Sequence, residues 1–241
     1  MVGTAVNTHL VPKSTKEGLD QEAIATYYGQ ASFVDAHTVA IDQVQIRGEN
    51  IVLATGQRPA VLAIPGKNFI RSSTDFLALE EMPEEIVFIG GGYITFELAV
   101  IAQAAGAKVH ILHHNEQPLK GFDPDLVQDL MGYLAGQGMM FHLNTAPKEI
   151  KKEGNHFVVE TDHGSVSGAL VIGATGRIPN LESLALKNTE IAYDPHGLLV
   201  DDHLRTKESH IYAIGDVLSK KQPKLTPVAS FEAADVAASL L

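Results

Sequence analysis

The 241-residue sequence predicts an α/β chain built around a parallel sheet, with a β-meander beside it. Three observations carry that prediction. Apolar runs alternate with helix-period runs from Ser73 to Gly138, the strand–helix–strand–helix order of a parallel sheet. One run, "IVFIGGGYITFELAVIAQ" from Ile86 to Gln103, passes from a strand pattern through three consecutive glycines into a helix pattern. The tripeptide Ala-Thr-Gly closes two separate apolar runs, in "IVLATGQRP" (51–59) and "LVIGATGRIPN" (170–180), each followed within three residues by an arginine and a proline.

Composition narrows the function classes. Hydrophobic residues make up 45% of the chain, enough for a packed core, and the net charge of −11 provides no general basic surface for nucleic acid or anionic lipid. No apolar stretch reaches membrane-spanning length, and the first residues lack the layout of a signal peptide, so a soluble, cytoplasmic protein is expected. There is no cysteine, which excludes disulfides, thiolate metal sites and thiol redox chemistry carried by these residues.

Taken in order, Lys13 to Tyr28 reads as a polar linker and a helix, with Thr15 as its N-cap. The stretch "ASFVDAHTVAIDQVQIRGENIVLAT" predicts a meander of three strands, turning at Asp35-Ala36 and at Gly48-Glu49-Asn50. Its last run, "IVLAT", is apolar enough to be covered on both faces, and "GQRPAVLAIPG" follows as a linker. "STDFLALEEMP" suggests a capped helix with a proline stop. Ile86 to Ile89 is a buried strand, Tyr93 to Ala105 a helix and "AKVHILH" a second strand. Asp123 caps the next helix, with Pro124 at its first position and Gly138 beyond its end. "HFVVETDHGSVSGALVIGAT" gives a hairpin and a last apolar strand. The Ala-Thr-Gly repeats imply two related folding units, one of them incomplete.

The glycines carry the chemistry. Gly90, Gly92 and Thr95 hold the fixed positions of a G-x-G-x-x-G pattern, whose first glycine makes a tight turn and whose second lets a pyrophosphate reach the backbone. The helix that follows offers free N–H groups and a positive dipole end. Thr95 replaces the usual glycine or alanine of the third position, which puts the closeness of the helix–strand crossing in question. An ordinary strand-to-helix turn also favours glycine, but the flanking strand, helix and second strand fall where a Rossmann-like dinucleotide site needs them. An acidic residue closing the second strand would favour NAD, and basic groups there NADP. The sequence has "ILHHNEQPLKGFD", where His114 and Lys120 form a candidate clasp for the 2′-phosphate of NADP, while Glu116 between them argues for NAD. NADP is the preferred reading. His110, His113 and His114 do not make a metal site, since strand alternation sends His110 and His114 one way and His113 the other, so these histidines are expected to be solvated or phosphate-facing. No nucleophile elbow and no Gly-Lys-Ser/Thr of a phosphate-binding loop is present. Further along, "HIYAIGDV" runs a short strand into Gly215-Asp216, where the aspartate is placed to accept from sugar hydroxyls.

Together, "GQASFVDAHTVAI", "ENIVLATGQRP", "IVFIGGGYITFELA", "GATGRIPN" and "HIYAIGDV" resemble the middle of the flavoprotein disulfide reductases, the family of glutathione reductase, dihydrolipoamide dehydrogenase and mercuric reductase. The resemblance implies a nicotinamide-dinucleotide domain at 73–176, flanked by parts of an FAD domain at 1–72 and 177–241. It implies that Gly90 and Gly92 line the pyrophosphate, that Tyr93 covers the flavin where nicotinamide enters, and that Glu97 pairs with a lysine beside the flavin. It implies that Asp216 holds the ribityl chain of FAD. The full set of cofactor-binding candidates is Thr55, Gly56, Gly90, Gly92, Tyr93, Ile94, Glu97, His113, His114, Lys120, Gly176, Arg177, Gly215 and Asp216, with no catalytic residue and no metal ligand.

The family's first G-x-G-x-x-G, its cysteine pair and its C-terminal dimerisation domain have no counterpart in these residues. The expectation is therefore a piece of an NAD(P)H-dependent FAD oxidoreductase, homodimeric in its parent form, that holds nicotinamide dinucleotide without reducing a disulfide. The alternative is a non-catalytic dinucleotide-binding or interaction module.

Overall fold

The computed structural model describes residues 10–240. In chain order the elements are α1 (Leu10–Gln21), β1 (Ala31–Asp35), β2 (Thr38–Ile41), β3 (Val44–Arg47), β4 (Ile51–Leu53), β5 (Gln57–Pro59), α2 (Ser73–Leu77), β6 (Glu85–Ile89) and α3 (Tyr93–Ala104). They continue with β7 (Lys108–Leu112), α4 (Pro124–Gly136), β8 (Met140–His142), β9 (Pro147–Glu153), β10 (His156–Thr161), β11 (Gly164–Gly168) and β12 (Leu170–Gly173). The last are β13 (Arg177–Pro179), β14 (Tyr193–Asp194), β15 (Gly197–Leu198), β16 (Ile211–Ala213) and α5 (Thr226–Leu240). The chain divides into two compact units, with boundaries at 15/16, 58/59 and 176/177.

The unit of Pro59–Gly176 holds a four-stranded sheet in the order β12-β6-β7-β8, and all three pairings are parallel. The apolar strand β6 is continuous because both its faces are covered. Ile86 and Phe88 point into a cluster with Phe96, Ala99 and Ala102 of α3 and Val127 and Leu134 of α4. Val87 and Ile89 point the other way, onto Ile150 and Val159 of the antiparallel meander β9-β10-β11. That period of two is what places each residue. Residues 59–72 belong to this unit, with Leu62, Ile64, Phe69 and Ile70 packed on the second cluster. From β6 the chain moves outward through α3 to β7 and through α4 to β8, and β12 then joins on the far side of β6. The order thus reverses between β12 and β6, and ligands of open α/β sheets sit at the carboxyl ends of strands at such a reversal.

The unit of Lys16–Arg58 with Arg177–Leu241 carries the meander β1-β2-β3, the parallel pair β4-β16 and the pairs β5-β13 and β14-β15. Its core gathers Phe33, Leu53, Leu184, Leu198, Ile211, Val217 and Val236.

Several local expectations need correction. Thr15 lies inside α1 and does not cap it, because the helix starts at Leu10 with Pro12 in the first turn, where a missing N–H costs nothing. The meander contains a turn that the sequence reading passed over. Ile41 pairs with Val44, so Asp42-Gln43 is a two-residue hairpin, and Asp42 takes a φ of +53° that aspartate tolerates better than most residues. "IVLAT" is not the meander's last strand. Its Ile51–Leu53 pairs in parallel with Ile211–Ala213, and only one face is covered, since Leu53 is buried while Val52 is 40% exposed. Part of the expected linker, Gln57–Pro59, is a strand paired with Arg177–Pro179. The expected helix of "STDFLALEEMP" is capped by Ser72, just before that stretch, in a capping box with Asp75. Asp123 and Pro124 begin α4 as expected.

Candidate functional site

The glycine corner leaves the carboxyl end of β6, and each glycine answers a different demand. Gly90 has a φ of +123°, and a Cβ there would lie 2.3 Å from the carbonyl oxygen of Ala174, where β12 ends. The neighbouring chain is that close because Ala174 N–H donates to Ile89 O at 2.8 Å and Gly90 N–H to Leu112 O at 2.9 Å. Gly91 is also sterically constrained, since a Cβ would meet His113 Nδ1 at 2.6 Å and Pro118 Cβ at 2.9 Å. The sequence pattern treats that position as free, so its demand was missed. Gly92 is the N-cap of α3 and faces open space, with no atom within 4 Å of a built Cβ and no side chain capping the helix. Uncapped N–H groups over a bare, exposed backbone are what a phosphate group needs.

Tyr93 is 57% exposed, Ile94 half-buried and Glu97 exposed, all on the first turns of α3. Thr95 does not hold the helix away from the sheet. It is fully buried, and its hydroxyl has no partner among the described residues. The carbonyl one turn back, that of Gly91, already accepts Leu119 N–H at 2.7 Å.

That last bond ties the loop after β7 to the corner. The loop leaves at His113, whose N–H donates to His142 O at 2.9 Å, and turns back at Leu119, which is buried with a φ of +51°. His114, Lys120 and Glu116 stay exposed on its outer side. His113 is neither solvated nor turned away from His114. The strand has already ended at Leu112, so alternation no longer applies, and the two rings meet edge to face at 5.0 Å. Burial pushes the His113 imidazole below its ordinary value, the bond to Gln117 O working against this and the nearby His114 with it. On the same sheet, His110 Nδ1 and His142 Nε2 lie 3.0 Å apart, with Glu85 at 3.3 Å on the far side of His110. Among the described residues no cluster suits a metal ion. Gly176 is exposed at the end of this unit, where its carbonyl accepts Ala60 N–H at 3.0 Å.

In the other unit, β4 and β16 run in parallel with Leu53 opposite Ala213, so Thr55-Gly56 and Gly215-Asp216 leave the carboxyl ends of adjacent strands. Thr55 Oγ1 is buried without a partner among the described residues, and Gly56 has a φ of +64° over open space. Asn180 N–H donates to Gly56 O at 3.0 Å, and Arg177 is exposed with its guanidinium on Gln57 O at 2.5 Å. The Gly215-Asp216 turn is held by two residues that the sequence reading missed. Glu232 of α5 is 8% exposed and accepts Gly215 N–H at 2.7 Å. Lys224 Nζ donates to the carbonyls of Asp216 (2.8 Å), Leu218 (2.9 Å) and His196 (3.3 Å). Desolvation lowers the Lys224 ammonium from its ordinary value, against the pull of Asp216 and Asp194. No local motif announces either residue, because each meets the turn only when α5 folds back.

A parallel sheet with a glycine corner at its order reversal, and a second strand pair ending in Gly-Asp, are the features of a Rossmann-like dinucleotide-binding fold. The chain belongs to the pyridine nucleotide-disulphide oxidoreductase family, whose model matches residues 8–233. It is 32% identical to the glutathione reductase of Burkholderia cepacia over 216 residues, covering 89% of this chain and 48% of that protein. It is 31% identical to the mercuric reductase of Staphylococcus aureus over 220 residues, covering 88% and 40%. Among solved structures, the Cu(II) complex of the HOCl-induced flavoprotein disulfide reductase RclA from Escherichia coli superposes with a TM-score of 0.88 at 30% identity, covering 96% of this chain and 54% of that one. The chain thus spans about half the length of the relatives it matches. Among the described residues no helix is long and apolar enough to cross a membrane.

Proposed function

We propose that this chain is the central part of an NAD(P)H-dependent FAD oxidoreductase. The residues 73–176 would bind nicotinamide dinucleotide, and the segments on either side would contribute to an FAD site in a homodimeric parent. The nicotinamide would supply a hydride and the flavin would accept it. The observation that carries the reading is Gly92, an uncapped and open helix start at the sheet's order reversal. The residues present fit both groups. Gly90 makes the close turn, Gly92 and the first N–H groups of α3 would take the pyrophosphate, and Tyr93, Ile94 and Glu97 would lie toward the nicotinamide. His114 and Lys120, exposed on one loop, would take the 2′-phosphate of NADP. The unpartnered Thr55 hydroxyl beside Gly56, with the Gly215-Asp216 turn next to it, supports the flavin assignment.

The zero cysteine count favours a second reading for the chain by itself: it binds dinucleotide without passing electrons on to a disulfide. Calorimetric titration with NADPH and with NADH, alongside a visible absorption spectrum, tests both. Binding of NADPH tighter than NADH supports the corner and the loop, and co-purified flavin supports the oxidoreductase reading over the binding module. A folded sample that takes up neither nucleotide reduces the corner to a turn.

A further inference from the structure

His113 sits at the corner in an unusual way for a histidine beside a glycine-rich turn. Its ring packs against Gly91, so close that a Cβ there would be 2.6 Å from Nδ1 and 2.7 Å from Cγ. Its Nε2 is 3.1 Å from the carbonyl oxygen of Gln117, an acceptor only, so Nε2 carries the hydrogen and Nδ1 presents a lone pair. That Nδ1 is buried and has no partner among the described residues, in a side chain whose residue is only 9% exposed. The backbone is pinned on both sides, by His113 N–H to His142 O and by Thr145 N–H to His113 O at 2.8 Å. The loop it begins returns to the same glycine, where Leu119 N–H donates to Gly91 O. Gly91 therefore receives the loop twice, through the imidazole at one end and through the Leu119 amide at the other.

We propose that His113 is a positioning residue, whose neutral Nε2–H form seats the loop bearing His114 and Lys120 on the glycine corner and whose protonation unseats it. The proposal rests on the reading of that corner as a dinucleotide site and makes the loop's service to it depend on proton concentration. A proton on Nδ1 would meet no acceptor among the described residues, and a buried, unpaired charge is not tolerated. The titratable neighbours cannot compensate. His114, 5.0 Å away, is itself basic, and on the adjacent strand His142 turns its ring to His110 and offers His113 only a backbone carbonyl already in use. Gly91 and Pro118 bring no titratable group. Burial lowers the His113 imidazole pKa, which agrees with a seat built for the neutral form. The sign follows. Seating is complete above the ordinary histidine range near pH 6.5 and weakens as pH falls from there through the lowered value, by at most about tenfold per pH unit for one proton.

The test is amide hydrogen exchange of residues 114–120 from pH 7.5 to pH 5, corrected for intrinsic rates, with the His113 ring followed by NMR. Leu119 should lose protection as the His113 ring titrates. In His113→Gln, which keeps an N–H for the Gln117 carbonyl and has no titrating proton, the Leu119 protection should be flat across the same range. Protection that is independent of pH in the unaltered chain, or that falls equally in His113→Gln, overturns the proposal. Binding of NADH, which has no 2′-phosphate to titrate, is measured alongside and should weaken with acid in the unaltered chain only. Binding that strengthens with acid and loses that trend in His113→Gln would make His113 a cationic ligand of the dinucleotide and also overturn it. If NADH and NADPH both fail to bind at pH 7.5, the dinucleotide reading falls, while Leu119 protection still decides the seating.

Discussion

Placing a methyl group on Gly90 and, separately, on Gly92 should produce opposite failures. At Gly90 the added Cβ lies 2.3 Å from Ala174 O and 2.7 Å from its carbonyl carbon, and the backbone φ of +123° suits no L side chain. The backbone strain costs about 1–3 kcal/mol and the overpacking about as much again, so Gly90→Ala should lose about 2–6 kcal/mol. In a domain of this size that lowers the melting temperature by roughly 4–24 °C. At Gly92 the backbone is extended, φ −88° and ψ 173°, and nothing lies within 4 Å. Gly92→Ala should therefore cost about 1 kcal/mol, the difference between glycine and alanine as N-cap. Its effect should fall on the ligand, because the methyl occupies the approach of the pyrophosphate, with affinity for NADPH reduced tenfold or more, about 1.4 kcal/mol. Calorimetric unfolding and titration of both variants decide the matter. Unchanged melting in Gly90→Ala would refute the close approach of β12, and unchanged NADPH affinity in Gly92→Ala would refute the pyrophosphate position.

Three further outcomes are expected. Glu232→Ala strips the Gly215 N–H of its buried acceptor and should destabilise the chain by about 1–3 kcal/mol, while Glu232→Gln, which keeps an acceptor oxygen, should lose less; urea unfolding measures the difference. Burial and the neighbouring His110 hold the His142 imidazole below its ordinary value, so its neutral form is the folded one and stability should fall as pH drops below about 6.5. Melting curves of His142→Phe between pH 5 and 7 should show a shallower slope than the unaltered chain, and an equal slope would remove His142 from the account. Lys120→Gln should weaken NADPH binding and leave NADH binding within about twofold, a loss of about 1.5–3 kcal/mol being typical of a charged hydrogen bond; equal losses for both nucleotides would place Lys120 elsewhere than on the 2′-phosphate.

The parts of the site that were legible in advance are those made by consecutive residues. The strand, the glycine turn and the helix of 85–104 follow from apolar run, backbone freedom and helical spacing, and each of these acts over a few residues. The same holds for Asp123 and Pro124 at the start of α4. The hairpin at Asp42 was passed over because Asp-Gln lacks the glycine that marks most two-residue turns. β9 escaped notice for a related reason: "PKEIKKE" is charged on its exposed side, and only Ile150 is buried.

By itself, the sequence determined that a sheet strand would run into a bare helix start, that apolar strands would alternate with helices, and that these residues carry no thiol. Tertiary structure alone decided which segments became neighbours. It paired Ile51–Leu53 with Ile211–Ala213 instead of with the meander, and made a strand of Gln57–Pro59 by pairing it with Arg177–Pro179. It brought Glu232 and Lys224 to the Gly215-Asp216 turn, and pressed His113 onto Gly91 when simple alternation had it facing away from His114. The physical reason is the same in each case. Backbone preference and hydrophobic period act within a few residues and dictate what an element is, whereas its partner is selected by burial and hydrogen bonding between parts of the chain that meet only on folding.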